Sequence, residues 1–361
     1  MPAHVAQEVR FCSSRDGTRI AYARTGRGVP IVRAAHWLTH VEHELESGVW
    51  RPWIAELSRV GQLLRYDERG CGLSDRDVAD VGLDAHVADL EAVVDAAGLD
   101  RFVLLALSQG GAIAATYAAR HPERVSHLVM LGAFVRGTLR RDVPEAAKEA
   151  ARLSIGLVRV GWGQANPAFN QMFTTQFMPD APAALQRTFN EMQRLCTSPE
   201  QASRLLGATL EFDATAELGR IRAPTLVFHS RDDGRVPFEE GRTIAAGIPG
   251  ARLVPLESRN HALLDGEPAW THFFEELRGF LVPASGSAPL EAFASLTAKE
   301  RELLDHLARG LDNAQLAARM GLAEKTVRNT VVRILDKLQV ETRAQAIVRA
   351  REAGFGQRAP R

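Results

Sequence analysis

At 361 residues the chain is long for one domain and sized for a large domain plus a small one. Its 45% hydrophobic and 24% charged residues are ordinary for a globular protein. Three widely spaced cysteines (Cys12, Cys71, Cys196) argue against a disulfide framework and for a reducing cytoplasm. No signal-peptide pattern opens the sequence and no apolar run is long enough to span a bilayer, so a cytoplasmic protein with no membrane partner is expected. The net charge of +0 hides an asymmetry. From Leu290 onward the chain holds 13 Lys+Arg against 9 Asp+Glu, and a mildly basic tail suits nucleic acid.

In chain order, Gln7–Ser13 and Arg19–Arg24 flank an Asp16-Gly17 turn and read as a hairpin. Pro30–Ala34, Gln62–Tyr66, Phe102–Leu107 and His127–Leu131 are short apolar runs. Trp50–Arg59, Asp84–Ala97 and Gly111–Arg120 between them have helical spacing. This alternation predicts an α/β domain with a mostly parallel sheet. Residues 135–219 lose the strand signal but keep helical periodicity, which predicts a helical lid; in it Met172, Phe173, Phe177 and Met178 read as core. The rhythm returns with Pro224–Phe228, a helix at Phe238–Ala246, a strand at Ala251–Leu256 and a helix at Pro268–Leu281. The expected domains are 1–282 and 295–361, joined by a turn-rich linker at 283–294 that spans roughly 17–20 Å.

Ala106-Leu107-Ser108-Gln109-Gly110-Gly111 joins an apolar strand to a helix start of small residues. A serine on so sharp a turn is an exposed nucleophile, and the close approach of strand and helix demands small neighbours. A serine hydroxyl needs a base, an orienting acid and an oxyanion site. Acid and base are expected in that chain order on loops after later strands. Asp232-Asp233-Gly234-Arg235-Val236-Pro237 and Asn260-His261 fit. The expected triad is Ser108, Asp233 and His261, with Asp232 capping the turn. His229 reads as structural, whereas His36, His40 and His43 follow the third strand and could face the pocket, as weaker competitors of His261. One oxyanion donor is expected from the backbone N–H of Gln109 and the other from near Trp37. The bulky Ala34-Ala35-His36-Trp37 stretch replaces the common His-Gly-x, which leaves open whether the site turns over or only traps or binds an acyl compound.

These residues resemble the α/β-hydrolase superfamily over roughly residues 8–282. Asp67-Glu68-Arg69-Gly70-Cys71-Gly72-Leu73-Ser74-Asp75 extends the resemblance, which implies a structural loop bracing the nucleophile turn.

Leu296-Thr297-Ala298-Lys299-Glu300 opens a helix with a capping box and Gly310 stops it. A short helix follows at Asn313–Met320, then a turn at Gly321, a longer helix at Glu324–Gln339 and a last one opened by Thr342 with Gln345. Val327, Val331, Ile334 and Leu338 recur at the spacing of a buried stripe. The opposite face offers Lys325, Thr326, Arg328, Asn329, Val332 and Arg333, with Lys337 near its end, residue types that reach phosphates, base edges and thymine methyls. Residues 293–357 resemble the LuxR-type (GerE-like) helix-turn-helix through Leu-Thr-x-x-Glu at 296–300, Lys325-Thr326-Val327 and Ile334-Leu335-x-Lys337-Leu338. Thr330 stands where a His is common and Gln315-Leu316 where Glu-Ile is. The resemblance implies double-stranded DNA as a partner and a homodimer contact through Ala344, Ile347 and Val348.

The expectation is therefore an α/β-hydrolase fold plus a small all-α helix-turn-helix domain, acting as a transcriptional regulator that senses or hydrolyses a small ester, thioester or lactone. A working esterase or lactonase localised by its tail, or a binding-only receptor with an inactive triad, are the alternatives. No metal cluster, phosphate-cradling loop or nicotinamide fingerprint stands out, so no metal or cofactor is expected.

Overall fold

The computed structural model describes residues 7–162, 164, 168–281, 293, 295–338, 340, 342–352 and 355–356. The expected linker, apart from Phe293, lies outside them. The chain divides into Met1–Arg278 and Gly279–Arg361.

The larger unit is built on one eight-stranded sheet: β1 (Glu8–Ser13), β2 (Arg19–Thr25), β3 (Pro30–Arg33), β4 (Gln62–Tyr66), β5 (Phe102–Leu107), β6 (Val125–Leu131), β7 (Thr225–Ser230) and β8 (Arg252–Leu256). The order is β1-β2-β4-β3-β5-β6-β7-β8. β1 and β2 form the expected hairpin, β2 runs antiparallel to β4, and every later pairing is parallel. All six residues of β5 are buried. Such a run, apolar on both faces, belongs at the centre of a parallel sheet covered by helices on both sides.

Those helices are α1 (His43–Glu46), α2 (Trp50–Val60), α3 (Leu83–Ala96) and α4 (Gly110–Arg120), followed after the lid by α9 (Phe238–Gly247) and α10 (Pro268–Leu281). The one-turn α1 is too short to show a helical period among its residues. On α2 the buried positions are Trp50, Trp53, Ile54 and Leu57, one face of a 3.6-residue repeat. α4 is buried over nearly its whole length because its Gly and Ala residues let it sit close to the strands. Strand order reverses between β3 and β5, and the crevice beyond the carboxyl ends of strands at such a point is where open α/β sheets bind ligands.

The lid comprises α5 (Glu145–Gly161), α6 (Ala168–Phe177), α7 (Ala183–Cys196) and α8 (Pro199–Glu211), with 3-10 turns at Thr138–Arg140 and Thr215–Arg220. Phe173 and Met178 are buried as expected, but Met172 is 40% exposed. Cys71 and Cys196 are buried and Cys12 is half-buried, all with free thiols.

The smaller unit holds α11 (Ala298–Ala308), α12 (Asn313–Met320), α13 (Glu324–Lys337) and α14 (Arg343–Glu352). Thr297 and Glu300 close a reciprocal capping box on α11, and Asp312 with Gln315 closes another on α12. Thr342 and Gln345 exchange the same two bonds at the start of α14 (3.0 and 3.2 Å). Each box satisfies two orphan N–H groups of a helix start. Gly321 ends α12 with φ +65°, the left-handed conformation that glycine adopts without strain. Leu303, Leu307, Leu316, Val327, Ile334 and Leu338 lie at the centre of its core. No helix among the described residues is long and apolar enough to cross a membrane.

Candidate functional site

β5 ends at Leu107 and α4 begins at Gly110, so Ser108 and Gln109 make the whole turn. Ser108 has φ +51°, a strained conformation for a residue with a side chain, held only where the surroundings fix it. Here the Ser108 N–H donates to the Leu131 carbonyl (3.3 Å), and the Ser108 carbonyl accepts from Gly111 (3.0 Å) and Phe134 (3.2 Å). Glycine is needed beside it. A Cβ on Gly110 would lie 2.8 Å from the Ala35 carbonyl oxygen, and one on Gly111 2.6 Å from that of Phe134.

The loops after β7 and β8 bring Asp233 and His261 together. His261 Nδ1–H donates to Asp233 Oδ2 at 2.8 Å. A carboxylate only accepts, so this bond fixes the proton on Nδ1 and leaves Nε2 as the basic nitrogen. The other Asp233 oxygen accepts from the backbone N–H groups of Arg235 (2.8 Å) and Val236 (2.9 Å). Asp233 thus caps its own turn. The expected capping by Asp232 is not what forms: that residue is exposed, and only its backbone is engaged, by the Ser258 carbonyl (3.3 Å). Burial opposes ionisation of Asp233, but the imidazole and the two N–H donors prevail and hold its carboxyl below the usual carboxylate range.

His261 is held from the lid as well. The N–H groups of His261 and Ala262 both donate to the Phe177 carbonyl at the end of α6 (2.8 and 3.0 Å), and the Phe177 ring stands edge-on to the imidazole at 5.4 Å. Phe177, read from sequence as core, is a positioning residue that also lines the site cavity. Gly132 (φ +53°) forms the floor, where a Cβ would come within 3.0 Å of His261 Nδ1. Among the described residues the Ser108 hydroxyl has no hydrogen-bond partner, and the bond that would join it to His261 is not formed. Contacts between nucleophile and base are often long until substrate arrives.

Trp37 and Gln109 line the same cavity as Ser108. Among the described residues neither backbone N–H donates to any acceptor. Unpaired buried N–H groups are rare in folded proteins, and two that share a cavity with a strained serine have the chemistry of an oxyanion site. Gln109 is fixed by its side chain, whose Nε2 donates to Glu68 Oε1 (2.6 Å). His86 Nε2–H donates to the same oxygen (3.0 Å) and its Nδ1–H to the Gly82 carbonyl (2.9 Å). Both ring nitrogens face acceptors, an arrangement that favours the doubly protonated ring. Burial opposes that charge, but Glu68 overrides it and raises the His86 pKa. Asp67 accepts from Val41 (2.7 Å) and Leu73 (2.8 Å), and Arg69 pairs with Asp89 (2.6 Å). The 67–75 loop therefore braces the turn through Glu68.

The expectation that His36, His40 and His43 face the pocket is not met, since none lines the cavity. His36 stacks on Trp50 at 4.5 Å, and burial pushes its pKa down to about 3. His40 stacks on His43 at 4.1 Å. His229 is buried and donates through Nε2 to the Val236 carbonyl (2.9 Å), supporting the Asp233 turn as a structural residue. Two charged cavity residues were given no role in the sequence reading, Arg141 and Arg235. Arg235 lies only two positions beyond Asp233, which was the available signal.

On α13 the buried stripe is Val327, Val331 and Ile334, continued by Leu338. Lys325, Thr326, Arg328, Asn329, Val332 and Arg333 are all exposed, and Val332, at 54%, is an apolar side chain left in solvent. Thr330 is buried and donates to the Thr326 carbonyl (2.8 Å). Lys337 departs from the expected DNA-contacting set. Its ammonium is taken up by Glu300 Oε2 (2.7 Å) and the Ser295 carbonyl (3.1 Å), so it ties α13 to the start of α11. On α14, Ala344 and Val348 are exposed and Ile347 is half-buried.

The fold and these two surfaces define an α/β-hydrolase domain joined in one chain to a small helical DNA-binding domain. The chain belongs to the alpha/beta hydrolase fold family, whose model matches residues 44–268, and it carries a domain of the luxR family of bacterial regulatory proteins at residues 294–350. It is 30% identical over 236 residues to RutD of Azorhizobium caulinodans, which is named as a candidate carbamate hydrolase; the match takes in 65% of this chain and 86% of that one. It is 32% identical over 178 residues to a pimeloyl-[acyl-carrier protein] methyl ester esterase of Neisseria meningitidis, covering 48% of this chain and 56% of the relative. Among solved structures, an esterase from Exiguobacterium antarcticum superposes with TM-score 0.63 at 24% identity, covering 76% of this chain and 99% of the esterase. An enol-lactonase from Burkholderia xenovorans gives TM-score 0.62 at 22% identity, covering 75% and 99%.

Proposed function

We propose that the protein is a DNA-binding transcriptional regulator whose hydrolase domain receives a small ester, thioester or lactone at Ser108. The observation that carries this reading is the cavity in which Ser108 meets the two unpaired N–H groups of Trp37 and Gln109, beside the His261–Asp233 bond of 2.8 Å. Ser108 Oγ attacks the carbonyl carbon while His261 Nε2 takes the hydroxyl proton. Asp233 stabilises the imidazolium that results. The carbonyl oxygen, now negative, is met by the Gln109 and Trp37 N–H groups. Collapse of the adduct breaks the bond to the alcohol or thiol, which leaves with the proton from His261 and leaves an acyl-serine. Water activated by the same imidazole releases the acid and restores Ser108.

In the same chain the exposed face of α13 presents Lys325, Arg328, Asn329 and Arg333 for phosphate and base contacts. Two copies joined through Ala344, Ile347 and Val348 would read half-sites about one DNA turn apart. Occupancy or acylation of Ser108 shifts the DNA affinity. The test of the acyl site is intact-mass labelling of the full-length protein with a neutral fluorophosphonate probe. The expected result is one equivalent on the wild type and none on Ser108→Ala. A folded wild-type protein that takes up no label would overturn the nucleophile assignment and leave a binding-only receptor.

A further inference from the structure

The cavity around Ser108 is narrow, about 40 Å³, and its lining includes two arginines, Arg141 and Arg235, and no carboxylate. Each guanidinium sits over an aromatic ring that also lines the cavity. Arg235 Cζ is 5.7 Å from the centre of the Phe177 ring, and Arg141 Cζ is 5.3 Å from that of Phe134. Stacking of this kind holds the planar fork in one orientation. Arg235 Nη1 donates to Gln176 Oε1 on the lid (3.1 Å). Among the described residues no ion pair within 4 Å involves Arg235. Its nearest acid in sequence, Asp233, is committed to His261 and to the Arg235 and Val236 backbone. Arg141 has Glu240 Oε1 at 3.3 Å, but the same oxygen also serves Arg136 at 3.6 Å. Two guanidinium groups thus share one carboxylate, and Arg235 has none within ion-pair distance among the described residues. Burial, reinforced by the charge of Arg141, pushes the Arg235 pKa down to about 10, so it remains a cation at neutral pH.

A partly desolvated cation that forms no ion pair and has only the committed Asp233 carboxylate near it costs stability, and neither the triad nor the core has a use for this one. We infer that the ligand of the pocket carries an ionised carboxylate of its own, gripped by the forks of Arg235 and Arg141, with its ester, thioester or lactone carbonyl turned toward Ser108. The inference rests on the proposed acyl role of Ser108 and adds the substrate class: short half-esters, or lactones bearing a free acid. A carboxylate matches a stacked guanidinium in plane and in bidentate geometry. A neutral ester of the same size would leave both charges uncompensated, so the arginines also select against it.

The test is calorimetric titration of the full-length Ser108→Ala protein, which cannot turn over its ligand, with monomethyl succinate and with neutral methyl butyrate, in which a methyl group takes the place of the carboxylate. Monomethyl succinate is expected to bind at least about tenfold more tightly, within the range of a charge-assisted hydrogen bond. Adding Arg235→Gln should remove about 10- to 100-fold of that affinity and should not weaken methyl butyrate binding. Arg235→Lys, which keeps the charge but loses the fork, should fall between the two and keeps the test open if the Gln variant does not fold. Inorganic phosphate at equal concentration should not displace monomethyl succinate. Failure of monomethyl succinate to bind, equal affinity for the two esters, a preference that survives Arg235→Gln, or displacement by phosphate would each overturn the inference. Fluorophosphonate labelling of the wild type separates the two ideas. Labelling without an anion preference sinks the carboxylate ligand and spares the acyl site, whereas an anion preference without labelling does the reverse.

Discussion

Substituting Gly132 by Ala tests how tightly the base is held. Gly132 has φ +53° and its N–H is pinned to the Phe228 carbonyl at 2.9 Å. An added Cβ would sit 3.0 Å from His261 Nδ1, 3.1 Å from Cε1 and 3.3 Å from Asp233 Oδ2. Forcing alanine into the left-handed region costs about 1–2 kcal/mol by itself. The close contacts require a further shift of a few tenths of an ångström, and the imidazole has little slack because Asp233 holds its Nδ1, the Phe177 ring stands edge-on to it and the Phe177 carbonyl fixes the His261 backbone. A misplacement of about 1 Å costs roughly 100-fold in rate, so a smaller shift should cost about tenfold. The assay pairs urea unfolding with the second-order rate of fluorophosphonate labelling. Gly98→Ala is the control: its φ is +64° but a Cβ there meets nothing within 4 Å. Both variants should lose about 1–2 kcal/mol of stability, and only Gly132→Ala should label about tenfold more slowly. Equal labelling rates in the two would refute the argument that Gly132 is glycine for the sake of His261.

Asp233→Asn should lower the labelling rate by about 10³- to 10⁴-fold, since an amide cannot both cap the Arg235–Val236 turn and fix the imidazole proton on Nδ1; a loss below tenfold would contradict the assigned role. Glu44 is buried with Arg33 at 2.6 Å and Arg65 also bonded to it. Burial opposes its charge, but the two guanidinium groups prevail and depress its pKa to about 2. A carboxyl whose folded pKa is depressed stabilises the fold above its unfolded value near 4.5, and that contribution is lost as the pH falls toward 2. Glu44→Gln should therefore cost about 3–5 kcal/mol at pH 7 in urea unfolding, and much less near pH 2. Lys325→Ala and Arg328→Ala should each reduce the salt dependence of DNA binding by about one unit of slope, read from titrations at several salt concentrations. Lys337→Ala should leave that slope unchanged and cost about 1 kcal/mol of stability through loss of its bond to Glu300.

Much of this was legible in the chain itself. β5, α4 and the stripe on α13 follow from runs and periodicities strong enough to override their surroundings. Thr297 with Glu300 and Thr342 with Gln345 are read at a spacing of three and form the bonds that the spacing implies. What was not legible depends on contacts between segments far apart in sequence. The bond from Gln109 to Glu68 spans 41 positions, and that from His261 to Phe177 joins the lid to the β8 loop. Neither leaves a local pattern. His36 is polar and follows β3, yet it turns into a layer with Trp50 and Glu44 because the buried arginines there need a carboxylate and aromatic cover. Asp232 and Asp233 are chemically identical in sequence. Only the turn geometry gives both capping and imidazole orientation to the second of them. Lys337 looked like a phosphate contact because its place in the motif says nothing of where Glu300 falls.

The central claim is that chemistry at Ser108 is felt at α13. Its most direct test uses a DNA duplex selected by the full-length protein from a random pool, with selections run on both the free and the fluorophosphonate-labelled forms. The dissociation constant of each form for the selected duplex is then measured at one fixed salt concentration, with unlabelled Ser108→Ala carried through the same treatment. Coupling between two sites is commonly worth about 1–3 kcal/mol, or about 5- to 150-fold. The two forms should therefore differ in affinity by at least about fivefold, with no change in the treated Ser108→Ala protein. Identical affinities of the labelled and free forms would contradict the account.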